Sequence, residues 1–269
     1  MPSEFELRRN ICEVGRRIWE RGFVAANDGN ITVRLGDKYL LTTPTGVSKG
    51  FMTPDMIIKA DMQGKQLSGH LKPSSELKMH LAVYEMRPDV KSVVHAHPPN
   101  ATAFAVAGMP IHKPIMPEVV ISLGWIPVAR YGTPSTDELP KALKDHLGCH
   151  DAILLENHGA ITVGSDLFNA YYKMETIELA AQISIAAKML GGAREISPDN
   201  VEKLLEVRQK LGVAGKHPAL AESCTICPLL DESGRMITNA QNSKLDEERL
   251  VRLITQVTKE VLTAMQSGN

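Results

Sequence analysis

Apolar and polar positions follow two periods along this chain, and the switches between them mark its elements. From Glu4 to about Arg21, Leu7, Ile11, Val14, Ile18 and Trp19 recur at steps of three and four, which predicts one amphipathic helix ending near Gly22. Ile31–Leu35 and Tyr39–Thr42 read as strands joined in a hairpin through Gly36-Asp37-Lys38. Thr53-Pro54-Asp55 predicts a turn of helix, and Ile57–Ala60 a strand. A helix opens after Lys72-Pro73-Ser74-Ser75-Glu76 and keeps Leu77, Leu81 and Tyr84 on one stripe to about Met86. Val90, Val93 and Val94 lead into a short buried strand, Ser92–His97, stopped by Pro98-Pro99. Beyond it the pattern predicts a helix over 100–107, a strand over 126–131, and a helix to Leu147 opened by a capping box at Ser135-Thr136-Asp137-Glu138. Strands over 152–155 and 160–163 flank Asn157-His158-Gly159, and helices follow from Leu167 to about Leu190 and from Ser197 to about Gly212.

Periodicity fades after Gly212. Residues 213–244 read as a linker rich in Gly, Pro, Asn and Ser. It returns in 245–269, where Leu250, Leu253, Ile254, Val257, Val261, Leu262 and Met265 form one stripe opposite Glu247, Glu248, Arg252, Lys259 and Glu260.

Composition narrows the function classes. With 269 residues the chain fits one large domain or one domain plus an appendage. A net charge of −1 gives no field to recruit nucleic acid or anionic lipid, and 4% aromatics argues against stacking platforms for single strands. No apolar run approaches membrane-spanning length, and Met1–Glu6 lacks the pattern of a secretory leader, so the expected compartment is the cytoplasm. Four Cys in a chain this long do not suggest a disulfide scaffold; Cys224-Thr225-Ile226-Cys227 is one pair without a second and reads as local packing.

The candidate chemistry lies in histidines. Side chains two apart on a strand share a face, so His95 and His97 point the same way. They are either two hydrogen-bonded imidazoles or half of a metal site, with His158 at the end of another strand as the third ligand. Ser74 and Ser75 either cap a helix or hold an anion at its start. His80, four residues after Glu76, reads as structural or as support for the site, and His70, His112, His146, His150 and His217 as surface residues.

Thr43-Pro44-Thr45-Gly46, Pro73-Ser74-Ser75-Glu76, His95-Ala96-His97 and Asn157-His158-Gly159, in this order and spacing, resemble the class II aldolase/adducin family and within it the L-fuculose-phosphate aldolases. The likeness covers roughly residues 4–212, making 1–212 the expected catalytic domain. It implies a three-layer α/β/α fold on a largely antiparallel sheet, assembled as a homotetramer with sites near subunit interfaces. It implies one Zn²⁺ per subunit on His95, His97 and His158, Glu76 as acid/base, and substrate phosphate on Asn30, Thr45, Gly46, Ser74 and Ser75. The expected reaction is retro-aldol cleavage of a ketose 1-phosphate, such as L-fuculose 1-phosphate, to dihydroxyacetone phosphate and a small aldehyde such as lactaldehyde. Those aldolases carry a Tyr for the aldehyde end near the segment that here reads Ile115-Met116-Pro117-Glu118; by position along the chain, Glu118 and Tyr131 are the replacements. Relatives that epimerise pentulose phosphates at carbon 4 or decarboxylate sugar-acid phosphates keep a similar site, whereas adducin heads are interaction modules without the zinc ligands; all three His and Glu76 are present here. The terminal helix resembles peptides that direct enzymes into bacterial microcompartments through shell protein or other cargo. Packing back on its own tetramer, or dimerisation, is the other use of such a stripe.

Overall fold

The computed structural model describes residues 2–220. The expected terminal helix, the Cys224–Cys227 pair and most of the expected linker lie outside those residues. The elements are α1 (Glu4–Glu20), β1 (Asn30–Leu35), β2 (Tyr39–Thr42), β3 (Ile58–Asp61), β4 (Gln66–Ser68), α2 (Leu77–Met86), β5 (Ser92–Ala96), α3 (Pro99–Val106), α4 (Pro117–Ser122), β6 (Val128–Ala129), α5 (Glu138–Leu147), β7 (Ala152–Leu155), β8 (Gly159–Gly164), α6 (Leu167–Met189) and α7 (Pro198–Lys210). Single 3₁₀ turns at Lys49–Phe51 and Pro54–Met56 link β2 to β3.

The strands form one sheet in the order β4-β3-β2-β1-β5-β8-β7-β6, antiparallel throughout except for β6 beside β7. Neighbouring residues on a strand face opposite sides, and here each side is covered. Ile31, Leu41, Val94, Leu154 and Ala160 pack with α1, α3, α4 and α6. Leu40, Val93, Ile153 and Ile161, one step along, pack with α2 and α5. The three-layer α/β/α arrangement follows, and explains why the central strands read as nearly unbroken apolar runs. α1 starts where Ser3 accepts from the Glu6 amide (3.2 Å) and buries Ile11, Val14 and Ile18.

Several expectations change. β4 carries no alternation because all three residues are exposed at the sheet edge. α4 was not legible in its short Pro-led segment, and the strand expected over 126–131 shrinks to Val128–Ala129. The capping box at Ser135 does not form. Asp137 precedes α5 without a side-chain bond, while Glu138 accepts from the Thr133 amide at 2.9 Å.

His150 and His217 are not surface residues: 3% and 4% exposed respectively. Residues 213–220, the described part of the expected linker, pack on the body. His217 Nε2–H donates to Val120 O (2.7 Å), and Arg208 donates to Gly215 O (3.0 Å). Beside them Asp151, at the foot of β7, takes Arg87 on one oxygen (2.8 Å) and Lys173 on the other (2.7 Å), a buried three-charge network. Among the described residues no helix is long and apolar enough to cross a membrane.

Candidate active site and metal centre

Sheet register assembles the site. β1 pairs with β5 so that Asn30 lies opposite His95, and β5 pairs with β8 so that His95 lies opposite Ile161. β7 and β8 turn through Glu156-Asn157-His158, with Asn157 in the left-handed region (φ 55°) and the His158 amide donating to Leu155 O at 3.0 Å. That hairpin returns His158 to the end of β5. Gly159 permits the approach: a Cβ there would stand 2.6 Å from Ala96 O and 2.5 Å from His97 Cδ2.

The three rings converge. Their centroids are 4.7, 5.0 and 5.1 Å apart, with planes tilted 59–66°. One ligand nitrogen from each lies within 4.8 Å of the others. His95 Nε2 and His97 Nε2 are 3.2 Å apart. A backbone carbonyl can only accept, so His95 Nδ1, 2.9 Å from Ala160 O, carries the proton and leaves the Nε2 lone pair facing the centre. Burial, and then the other two rings, holds His95 well below the usual imidazole range; burial also lowers His97. Neutral imidazoles are what a metal requires.

Glu76, just before α2, stands over this group. Its Oε2 is 3.4 Å from His95 Nε2 and its Oε1 3.4 Å from His158 Nε2. Asn30 Nδ2 donates to Oε2 at 2.8 Å, while Oε1 is buried with no hydrogen bond of its own. A buried carboxylate oxygen without a donor, facing converging imidazole nitrogens, fits a divalent cation among them. Behind Glu76, His80 is fully buried, meets Thr32 Oγ1 at 2.8 Å through Nδ1, and is pushed down to about 3 by burial, so it stays neutral.

A cleft of about 220 Å³ opens beside Glu76, His97 and His158. Of the residues expected to hold phosphate, Asn30, Thr45, Ser74 and Ser75 line it; Gly46 (φ 72°) follows Thr45 but is not among the lining residues. A bridge between Pro44 and Pro73 joins the two loops, through Thr45 N–H to Lys72 O (3.0 Å) and Ser74 N–H to Thr43 O (3.1 Å). The Thr45 and Ser74 amides are therefore engaged within the protein, whereas the hydroxyls of Thr45, Ser74 and Ser75 remain as donors at this wall. Glu118 on α4 and Tyr131, 54% exposed, are not among the lining residues. Sequence reasoning missed Lys49, which lines the cleft while nearly fully buried; a lysine in a loop gives no signal of burial.

Residues 9–185 match the class II aldolase and adducin N-terminal domain family. The chain is 35% identical over 185 residues to a 3-oxo-tetronate 4-phosphate decarboxylase of Haemophilus influenzae, covering 67% of this chain and 88% of that one. It is 34% identical over 172 residues to an L-fuculose phosphate aldolase of Methanococcus maripaludis, covering 64% and 92%. The fold superposes on a solved L-fuculose 1-phosphate aldolase with a TM-score of 0.71 at 27% identity, over 78% of this chain and 98% of that one. With the sheet, the histidine cluster and the family match in agreement, the chain belongs to the class II aldolase and adducin family, as a class II aldolase of the carbon–carbon lyase type.

Proposed function

We propose that the chain cleaves the bond between the α and β carbons of a ketose 1-phosphate, L-fuculose 1-phosphate or a close analogue, giving dihydroxyacetone phosphate and a small aldehyde such as lactaldehyde. His95, His97 and His158 would hold the zinc ion. Bound there, it would supply Lewis-acid stabilisation of the negative charge that develops on the ketone oxygen. The observation that carries the reading is Glu76, held by Asn30 within 3.4 Å of two imidazole nitrogens. A carboxyl group fixed there can, in its acid form, deliver a proton to the α carbon after cleavage and, as the carboxylate, remove it in the reverse direction. Thr45, Gly46, Ser74 and Ser75, with Asn30, would hold the phosphate. Glu118 and Tyr131 lie outside this cleft's lining, so as aldehyde-end proton donors they would serve a neighbouring protomer's cleft in the expected homotetramer. Assembly, tested by light scattering, and direction of the chain to a microcompartment by residues 245–269, tested by fusing them to a fluorescent protein beside shell genes, belong to the same reading.

A second reading is favoured by that displaced pair and by the similarity to the decarboxylase. Loss of CO₂ from a 3-oxo-tetronate 4-phosphate leaves the same three-carbon enediolate, and CO₂ needs no proton as it departs. Glu76, the imidazoles and the phosphate wall would serve both reactions, which differ in the half that leaves. The test offers ketose 1-phosphates and 3-oxo sugar-acid phosphates to metal-replete protein, with triose phosphate, aldehyde and CO₂ all quantified. The aldolase reading expects triose phosphate and aldehyde in equal amounts. CO₂ release from the acid alone selects the second reading, and no release from either series refutes both.

A further inference from the structure

One cation of this chain at the cleft has no part in that scheme. Lys49 is 1% exposed, yet it is the one Lys or Arg among the described residues lining the cleft, where Asp28 and Glu76 also stand. Its ammonium donates to the carbonyls of Asn27 and Val47, 2.8 Å each. Both acceptors are neutral, and the third of its three N–H donors has no acceptor among the described residues. The position is enforced by packing: a Cβ at Gly15 of α1 would stand 2.6 Å from Lys49 O, so the 3₁₀ turn carrying Lys49 seats against α1 where no side chain intervenes. Burying an ammonium is costly where an aliphatic side chain of the same reach is not. Burial pulls Lys49 down to about 8, against the opposing pull of Asp28 and Glu76, the acidic groups that face it; His95 is the further titratable group coupled to it.

The donors expected to hold phosphate are all neutral, and the cleft already presents two carboxylates. A phosphate dianion entering there is stabilised by a cation besides the divalent ion that the imidazoles would hold. We propose that Lys49 is the substrate-binding cation of this cleft, its ammonium aimed at the phosphate by the two carbonyls it ties together. The inference rests on the phosphorylated-substrate reading above. Those carbonyls belong to the loop before β1 and the loop after β2, so the same side chain fixes the spacing of the cleft's two walls.

Calorimetric titration of the full chain with inorganic phosphate tests this without requiring turnover. Lys49→Met is expected to weaken phosphate binding about 10- to 100-fold, the loss of one charge-assisted hydrogen bond, while Lys49→Arg restores part of it. Equal affinity in wild type and a folded Lys49→Met, judged by circular dichroism, overturns the role of Lys49 and leaves the phosphorylated-substrate reading standing. No binding to wild type overturns that reading itself. If Lys49→Met does not fold, Lys49→Gln decides, since it keeps a donor without the charge. A comparable loss of phosphate affinity is expected, and affinity equal to wild type overturns the proposal.

Discussion

Replacing Gly159 with Ala adds one methyl group at the point where β8 meets the end of β5. Its Cβ would stand 2.6 Å from Ala96 O and 2.5 Å from the His97 ring, where ordinary contact starts at 3.4 Å. Something must move by about 0.8 Å, and interiors packed at crystal density offer no free volume to absorb it. The backbone oxygen cannot yield without disturbing the β5–β8 ladder, in which Ala96 pairs with Ala160. Relieving both contacts therefore shifts the His97 ring and strains the end of that ladder together. Overpacking of this size costs about 1–3 kcal/mol of stability. A ligand moved by most of an ångström should lose about 10- to 100-fold in metal affinity. The assay is competition for zinc against a chromophoric chelator, with thermal melting of the metal-free protein alongside. Gly159→Ala should melt a few degrees lower and release zinc to weaker chelators. Wild-type zinc affinity in a folded Gly159→Ala protein would refute the reasoning, because the ring would then have no need to sit where it does.

Glu76→Gln should keep its zinc and lose about 100-fold or more in kcat, since an amide cannot carry the proton; turnover within a few-fold of wild type contradicts the acid/base role. Asp151→Ala should cost about 3–5 kcal/mol by leaving Arg87 and Lys173 buried without their shared anion, read from the urea midpoint. A loss below about 1 kcal/mol, within the range of exposed pairs, would mean the network relaxes into solvent. Burial lowers both His150 and His217 to about 4 from 6.5. The unfolded chain then takes up protons first, so their contribution is intact above about pH 6.5 and lost as pH falls toward 4, by about 3 kcal/mol each at most. The urea midpoint measured against pH should show that decline, shallower in His217→Gln; a flat profile from pH 7 to 5 contradicts it.

The sequence is most informative where period and chemistry coincide. The strand carrying His95 and His97, the hairpin tip carrying His158 and the segment before α2 carrying Glu76 were each readable from local pattern, and the structure brings them together. What a local pattern cannot carry is partnership across the sheet. Asn30 reads as a turn residue or phosphate donor until the β1–β5 register places it beside His95 and its amide on Glu76. His217 finds its acceptor at Val120, far back in the chain, so nothing near it announced burial. Lys49 carries no local sign of burial, and only the structure shows α1 and two carbonyls closing around it. β4 and β6 are too short and, for β4, too exposed to show a period.

We propose that three imidazoles, from β5, its end and the β7–β8 turn, hold one divalent cation beside Glu76. Cobalt substitution tests it most directly. The metal-stripped chain titrated with Co²⁺ should bind one equivalent, with the visible absorption of a low-coordinate nitrogen and oxygen site, and the signal should vanish in His95→Ala while the fold persists. Stoichiometric binding with an unchanged spectrum in His95→Ala and His158→Ala would place the ion elsewhere and contradict the account.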